Sequence, residues 1–219
     1  MDSKAFFRLS CGLYIISTSE NGHPAGCIIN TTTQVTSTPS QLMVAVNKEN
    51  YTAEVIQKTK KFDVMCLTED VPMEWIGLFG FQSSRDINKF EHLETEMDCL
   101  GIPYLKQYCN AHFACQVQQV IDVGTHLLFI GLVNDCAVLS DSPSITYDYY
   151  HKVKKGLTPP KASSYIPPSD SGITKKEEQT VKAWKCQICG YIYENPTLPT
   201  DFTCPICKKS ADFFEPIYE

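Results

Sequence analysis

Four cysteines near the C-terminus, Cys186, Cys189, Cys204 and Cys207, have the spacing of a metal cage: two Cys-x-x-Cys pairs with 14 residues between them. Each short loop turns two sulfurs to one side, and two such loops face to face make a tetrahedral S4 site. A thiol–disulfide exchange motif needs only one such pair, beside a βαβ unit, and structural disulfides do not suit a reducing compartment. S4 accepts zinc or iron. The surroundings favour iron: Trp184, Tyr191, Tyr193, Phe202, Phe213 and Phe214 crowd into the same stretch. An apolar shell that keeps water out tunes a redox potential, which matters for iron and hardly for zinc. The plainer role for those rings is the core that any small module needs.

The other seven cysteines (Cys11, Cys27, Cys66, Cys99, Cys109, Cys115 and Cys136) are scattered through a larger body, in mostly apolar surroundings. The chain has 219 residues, 43% hydrophobic and 20% charged, the composition of a globular protein with room for one or two domains. The longest apolar run, Leu127 to Val133, is far short of the roughly 18 to 20 residues that cross a bilayer. The N-terminus has no basic stretch leading into an apolar one, so the expected location is the cytoplasm, away from membranes. Segments rich in Val, Ile, Thr and aromatics predict strands over 12–18, 25–35, 41–46, 61–68, 113–123 and 126–139, with Asn21-Gly22 as a hairpin turn. Helical pattern is confined to 52–59, 72–79 and the extreme N-terminus, where Ser3 could cap. Six strands with few helices predict a mainly β fold, a barrel or sandwich rather than a βαβ array.

A Pro-, Ser- and Gly-rich stretch with Pro159-Pro160, Pro167-Pro168 and Ser169 to Gly172 reads as a linker. The expected division is a first domain over 1–166, a linker over 167–183 and a metal module over 184–219. Residues 1–151 carry 9 basic and 17 acidic side chains, a balance that does not suit phosphate-neutralising contact with nucleic acid. Lys152, Lys154, Lys155 and Lys161 form a small basic patch, either a site for one small anion or a solvated loop. None of the 11 glycines falls in a GxGxxG or GxxxxGK pattern, so a bound nucleotide must be gripped by side chains and loop amides.

The run Trp184-Lys185-Cys186, Cys189-Gly190-Tyr191, Tyr193, Cys204-Pro205, Cys207-Lys208 and Asp212 to Pro216 resembles rubredoxin, in the short form found as a module of larger electron-transfer proteins. The resemblance implies one iron held by four cysteines and passing one electron. Three segments of the body, Ala25 to Val35, Val44 to Thr52 and Phe79 to Phe90, together with Gly124 to Val133, resemble the flavin reductase-like, FMN-binding split-barrel family over about residues 3–166. The two halves together resemble the high-molecular-weight rubredoxins of anaerobes.

The resemblance implies a homodimeric split β-barrel with a few helices, followed by the small rubredoxin-like domain. It also implies FMN contacts on Asn30, Thr31, Thr32 and Thr33 and on Lys48, Asn50, Tyr51 and Thr52, with Ser83, Arg85 and Lys89 on a loop that helps hold phosphate or the dimer contact. Read without it, Thr31 to Thr33 is a β-propensity run, Asn50 a helix cap and the Ser83–Lys89 loop a solvated turn. His126 matches a family histidine but reads equally as a packed hydrogen-bonding residue, and Cys27 as a small buried hydrophobe. Tyr147, Tyr149, Tyr150 and His151 could stack on a flavin or nicotinamide ring, with core packing expected of at least two of them.

What the resemblance implies for activity is NAD(P)H-dependent, FMN-mediated reduction of the rubredoxin iron, which then supplies a redox partner, a flavodiiron protein that reduces O2 or NO. Direct hydride transfer between cofactors needs no catalytic side chain. The 15 residues from Ser169 to Ala183 would average about 20 Å end to end, enough to reach the chain's own flavin, a neighbour's, or an outside acceptor. The competing reading is a flavin-binding dimeric scaffold whose Zn(Cys)4 ribbon mediates protein contact.

Overall fold

The computed structural model describes residues 3–154, 156 and 181–218. The first part is built on strands β1 (Tyr14–Glu20), β2 (His23–Ile29), β3 (Thr32–Ser37), β4 (Ser40–Asn47), β5 (Lys61–Leu67), β8 (Cys109–Asp122) and β9 (His126–Val138). They form one antiparallel sheet in the order β2-β1-β5-β8-β9-β4-β3. A small separate sheet, β6 (Thr95–Met97) and β7 (Pro103–Leu105), packs through Tyr104 and Leu105 against Ile15 and Met65 of the main sheet, and among the described residues α1 (Tyr51–Thr59), α2 (Met73–Phe81) and α3 (Tyr147–Lys152) are the α-helices.

Strands β1 and β5 bury successive residues, and so both of their faces, over most of their length. Ile16, Phe62 and Val64 point into one core with Cys27, Ile29, Val44, Val46 and Phe129. Their neighbours Ile15, Met65 and Leu67 point into a second core with Ile76 and Phe79 of α2 and Tyr150 of α3. The first core gathers side chains from β2 at one end of the sheet and from β4 next to the other end. The sheet therefore curls into a barrel whose two ends part, a split barrel.

Asn21-Gly22 makes the expected tight turn, with φ of 52° and 81° at the two positions where a type I′ hairpin needs positive φ. The stretch 25–35 was expected as one strand and is two. The chain breaks at Asn30–Thr31 and crosses from β2 at one edge of the sheet to β3 at the other. α1 starts at its cap Asn50, whose Oδ1 accepts from Thr52 N at 3.0 Å. The N-terminal segment Ser3–Arg8 is a 3-10 helix. α3 was not expected from sequence, although Thr146 caps it by accepting from Tyr149 N. No helix among the described residues is long and apolar enough to cross a membrane.

The second part is a three-stranded sheet, β11 (Ile192–Tyr193), β10 (Val181–Cys186) and β12 (Phe214–Tyr218), in that order. β10 begins at Val181, three residues inside the stretch expected as linker, and Val181 and Ala183 pair with Tyr218 and Ile217. Most of the expected linker, with Lys155 and Lys161 of the basic patch, lies outside the described residues.

Candidate metal centre and cofactor cleft

The two Cys-x-x-Cys loops are built alike. Gly190 N donates to Cys186 O at 2.9 Å and Lys208 N to Cys204 O at 3.0 Å, and both donors sit in left-handed backbone, φ 81° and 60°. That reversal folds each pair of sulfurs to one side. All four Sγ atoms lie within 4.8 Å of one another, with Cys186–Cys207 at 3.6 Å and Cys189–Cys204 at 3.5 Å. Metal–sulfur bonds of about 2.3 Å in a tetrahedron need sulfur edges of about 3.8 Å, so the cage fits one ion. The four cysteines are buried. The rings of Tyr193 and Phe202 lie 4.5 Å apart and those of Phe202 and Phe214 5.3 Å apart, while Trp184 Nε1 donates to Pro196 O. Five of the six aromatics singled out in the sequence pack around the cage; Phe213, 38% exposed, does not.

In the barrel, a cleft partly open to solvent lies where the ends of the sheet part. β2 contributes Cys27, Ile28 and Ile29 and leads into Asn30; β4 contributes Ala45, Val46 and Asn47, and Asn50 follows. α2 adds Ile76, Gly80 and Phe81, β9 adds His126, and α3 adds Tyr147 and Tyr150. Mostly apolar walls with a few polar groups at strand ends are what an aromatic ring system carrying a polar tail requires. Two residues on from the lining residues Asn30 and Asn50, outside the lining itself, Thr32 Oγ1 and Thr52 Oγ1 are buried without a hydrogen-bonding oxygen or nitrogen in the chain, with Thr52 beside the Cys27 thiol; a bound polar group reaching Thr32 would remove that cost. Asn50 also sets the start of α1, a helix end whose amides favour an anion.

The cofactor residues expected from sequence fall into several places. Asn30 and Asn50 line the cleft. Thr31 accompanies Asn30, donating to its Oδ1 at 3.1 Å, and Thr33 is exposed on β3. Lys48 pairs with Asp122. Arg85 pairs with Glu54 at 2.6 Å and lies 4.6 Å over the Tyr51 ring. Ser83 Oγ accepts from Arg85 N. Lys89 is buried, its ammonium donating to Gly26 O at 2.9 Å and Phe79 O at 3.1 Å, and burial holds its pKa down to about 8.

His126 lines the cleft beside Thr125, Nδ1 to Oγ1 2.9 Å, and burial lowers its pKa, which favours the neutral ring. The Tyr147 and Tyr150 rings stack at 5.8 Å; both line the cleft while also packing on the second core. The thiol of Cys27 is pushed up by burial, against a smaller downward pull from Lys89. Burial likewise raises Cys66 to about 11 and Cys109 to about 12, so these thiols are poor nucleophiles. Sequence reasoning missed Asn47, Gly80 and Phe81. Asn47 is placed by its register opposite His126, and the two α2 residues belong to a helix that is apolar on nearly every side.

Residues 6–158 match the family model "Flavin reductase like domain" and residues 184–215 match "Rubrerythrin, rubredoxin-like domain". The high molecular weight rubredoxin of Moorella thermoacetica is 37% identical over 99% of this chain and 100% of its own length. The ferric-chelate reductase (NAD(P)H) of Archaeoglobus fulgidus is 42% identical over 76% of this chain and 98% of its own. The barrel also superposes on the NADH:FAD oxidoreductase of Streptomyces globisporus C-1027, solved with NAD and FAD fragments, with a TM-score of 0.59 at 18% identity over 65% of this chain and 84% of that one. This chain therefore belongs to the flavin reductase-like family and to its rubredoxin-fused members, the high-molecular-weight rubredoxins, as an oxidoreductase that uses FMN, four-cysteine iron and NAD(P)H.

Proposed function

We propose that the chain passes electrons from NAD(P)H, by way of FMN in the cleft, to the iron in its own sulfur cage and on to a redox partner protein, a flavodiiron protein reducing O2 or NO. FMN, when bound, supplies the exchange between a two-electron hydride donor and a one-electron metal acceptor. The barrel (1–166) holds the cofactor, residues 167–183 tether it, and the module (184–219) carries the iron. Asn30, Thr31, Thr32 and Thr33 and the α1 start at Asn50, Tyr51 and Thr52 offer the hydroxyls and amides for the FMN tail. Lys48, Ser83, Arg85 and Lys89 supply positive charge and hydroxyl groups around that end. Tyr147 and Tyr150 shape the apolar side, where a ring system excludes water. The working unit is a homodimer in the cytoplasm, where free thiols stay reduced.

The observation that carries this reading is the presence in one chain of an apolar-walled cleft with Asn30, Asn47 and Asn50 on its rim and a closed S4 cage. The relative from Archaeoglobus fulgidus matches the barrel and is named for reducing a ferric chelate; here a ferric acceptor is built into the chain. The test is anaerobic titration of the purified protein with NADH and with NADPH, followed by addition of a flavodiiron protein as acceptor. Flavin and ferric-thiolate absorption that both bleach, then recover on adding the acceptor under O2 or NO, is the expected result. A colourless protein with stoichiometric zinc from iron-replete cells would overturn it in favour of the scaffold reading.

A further inference from the structure

Helix α2 is apolar on nearly every side, which in a water-soluble fold means that it is covered on more than one side. Ile76 and Phe79 face the barrel's second core. Met73, Gly77 and Phe81, spaced by four residues, form another stripe, and there Met73 and Phe81 pack against the cluster of the sulfur cage. Between them a Cβ on Gly77 would lie 2.6 Å from Ile206 O and 2.5 Å from Ile206 Cγ2. Only a glycine lets the backbone of the second metal loop, Cys204 to Cys207, come this close. Ile206 is 6% exposed, although it sits in the middle of that short loop. One turn further on, Gly80 and Phe81 line the cofactor cleft. Phe81 therefore touches both sites, and the wall between them is a single helix.

We infer that the Met73–Gly77–Phe81 stripe is the docking face for this chain's own metal module, that Ile206 is the residue it receives, and that electrons cross within one chain at Phe81. The inference rests on the proposed function for the direction of flow and adds the route. Overall, NAD(P)H gives up two electrons as hydride and two ferric ions each gain one, leaving NAD(P)+, one proton and two ferrous ions. A chain with one iron discharges the first electron to its acceptor before taking the second. Met73, Gly77, Phe81 and Ile206 act by position, setting how near the cage sits to the cleft.

Two variants of the full-length holoprotein test the route, Gly77→Leu and Ile206→Glu. Stopped-flow mixing with NAD(P)H should show flavin bleaching at the wild-type rate and iron bleaching slowed by about tenfold to a hundredfold. Amide hydrogen exchange, which needs no turnover, should show lost protection at 73–81 and 204–208 in both, with the ferric absorption intact. Unchanged protection and unchanged iron bleaching in both variants would overturn the docking face while leaving the proposed function standing. Wild-type iron bleaching that rises with protein concentration would overturn the within-chain route. If wild-type iron is not reduced at all, the proposed function fails, and hydrogen exchange alone still decides the docking face.

Discussion

Asp63 on β5 and His112 on β8 form a buried pair, Oδ2 to Nδ1 2.9 Å, with 0% and 4% of their side chains exposed. They sit diagonally across the ladder, since Met65 is the partner of His112 and Ala114 that of Asp63. The His112 ring stacks on Tyr104 with centroids 4.0 Å apart and planes 5° apart, and Tyr104 in turn donates to Glu96. Burial pushes Asp63 up to about 6 despite the pull of His112, and the hydrogen bond to Asp63 raises His112.

Both shifts have the same sign for stability. A raised pKa means that the folded state holds a proton the unfolded chain releases, so the contribution falls as pH rises. For Asp63 the loss runs between about pH 4 and 6, and for His112 it runs from its ordinary value near 6.5 upward through the folded value. Denaturant midpoints should therefore decline from pH 5 to 8 more steeply in the wild type than in His112→Asn. His112→Ala, which leaves Asp63 without its partner, should cost about 3 to 5 kcal/mol at pH 6. Parallel pH slopes for wild type and His112→Asn would show that the pair does not titrate with folding.

Lys89 straps α2 to β2 through the carbonyls of Phe79 and Gly26. Lys89→Met keeps the stem but orphans two buried acceptors, and should cost about 2 kcal/mol at pH 7. Because burial holds the folded pKa down to about 8, the wild type gains stability as pH rises from 8 toward 10.5, where the unfolded lysine still holds its proton. The deficit of the variant should widen over that window. Chemical denaturation at pH 7 and 9.5 checks both the cost and its direction.

The parts legible in the sequence were those with local causes. Cys-x-x-Cys spacing, the Asn21-Gly22 turn and the cap at Asn50 each act within a few residues, and each is where it was expected. The split at Asn30–Thr31 was hidden because both sides have β-propensity and nothing local says that the chain changes edge of the sheet. α3 was hidden because an aromatic-rich hexamer has no helical stripe of its own; Thr146 and the core around Tyr150 set it. For Arg85 and Lys89 the resemblance implied a loop that holds phosphate or the dimer contact and residue type alone a solvated turn; neither could name their partners Glu54, Gly26 and Phe79, which come from distant elements. Nor could Gly77 announce Ile206, since the contact is made only when the two parts meet.

Thr32→Val tests the cleft as an FMN site with two effects of opposite sign. Its buried hydroxyl has no partner in the chain, so in flavin-free protein the isosteric valine should leave stability unchanged or raise it. If the hydroxyl bonds the FMN tail, the same change should weaken FMN by about 1 to 3 kcal/mol, roughly 5- to 150-fold in Kd. Fluorescence titration of the apoprotein with FMN, alongside its thermal midpoint, reads the two effects separately. Unchanged affinity would remove Thr32 from the cofactor site.

Cys204→Ser should separate the two halves of the molecule. Removing one sulfur opens the cage, and in a module this small the metal contributes much of the folding energy, so both the ferric absorption and amide protection over 181–218 should be lost. The barrel has its own two cores, so NAD(P)H should still bleach the flavin. Loss of the module also uncovers Met73 and Phe81 on α2, and an apolar patch set free in this way should bind a dye such as ANS. The dye should not bind the iron-loaded wild type. Dye binding together with intact flavin reduction would show that the module covers the barrel without being needed to fold it, whereas loss of flavin reduction would place hydride entry outside the barrel.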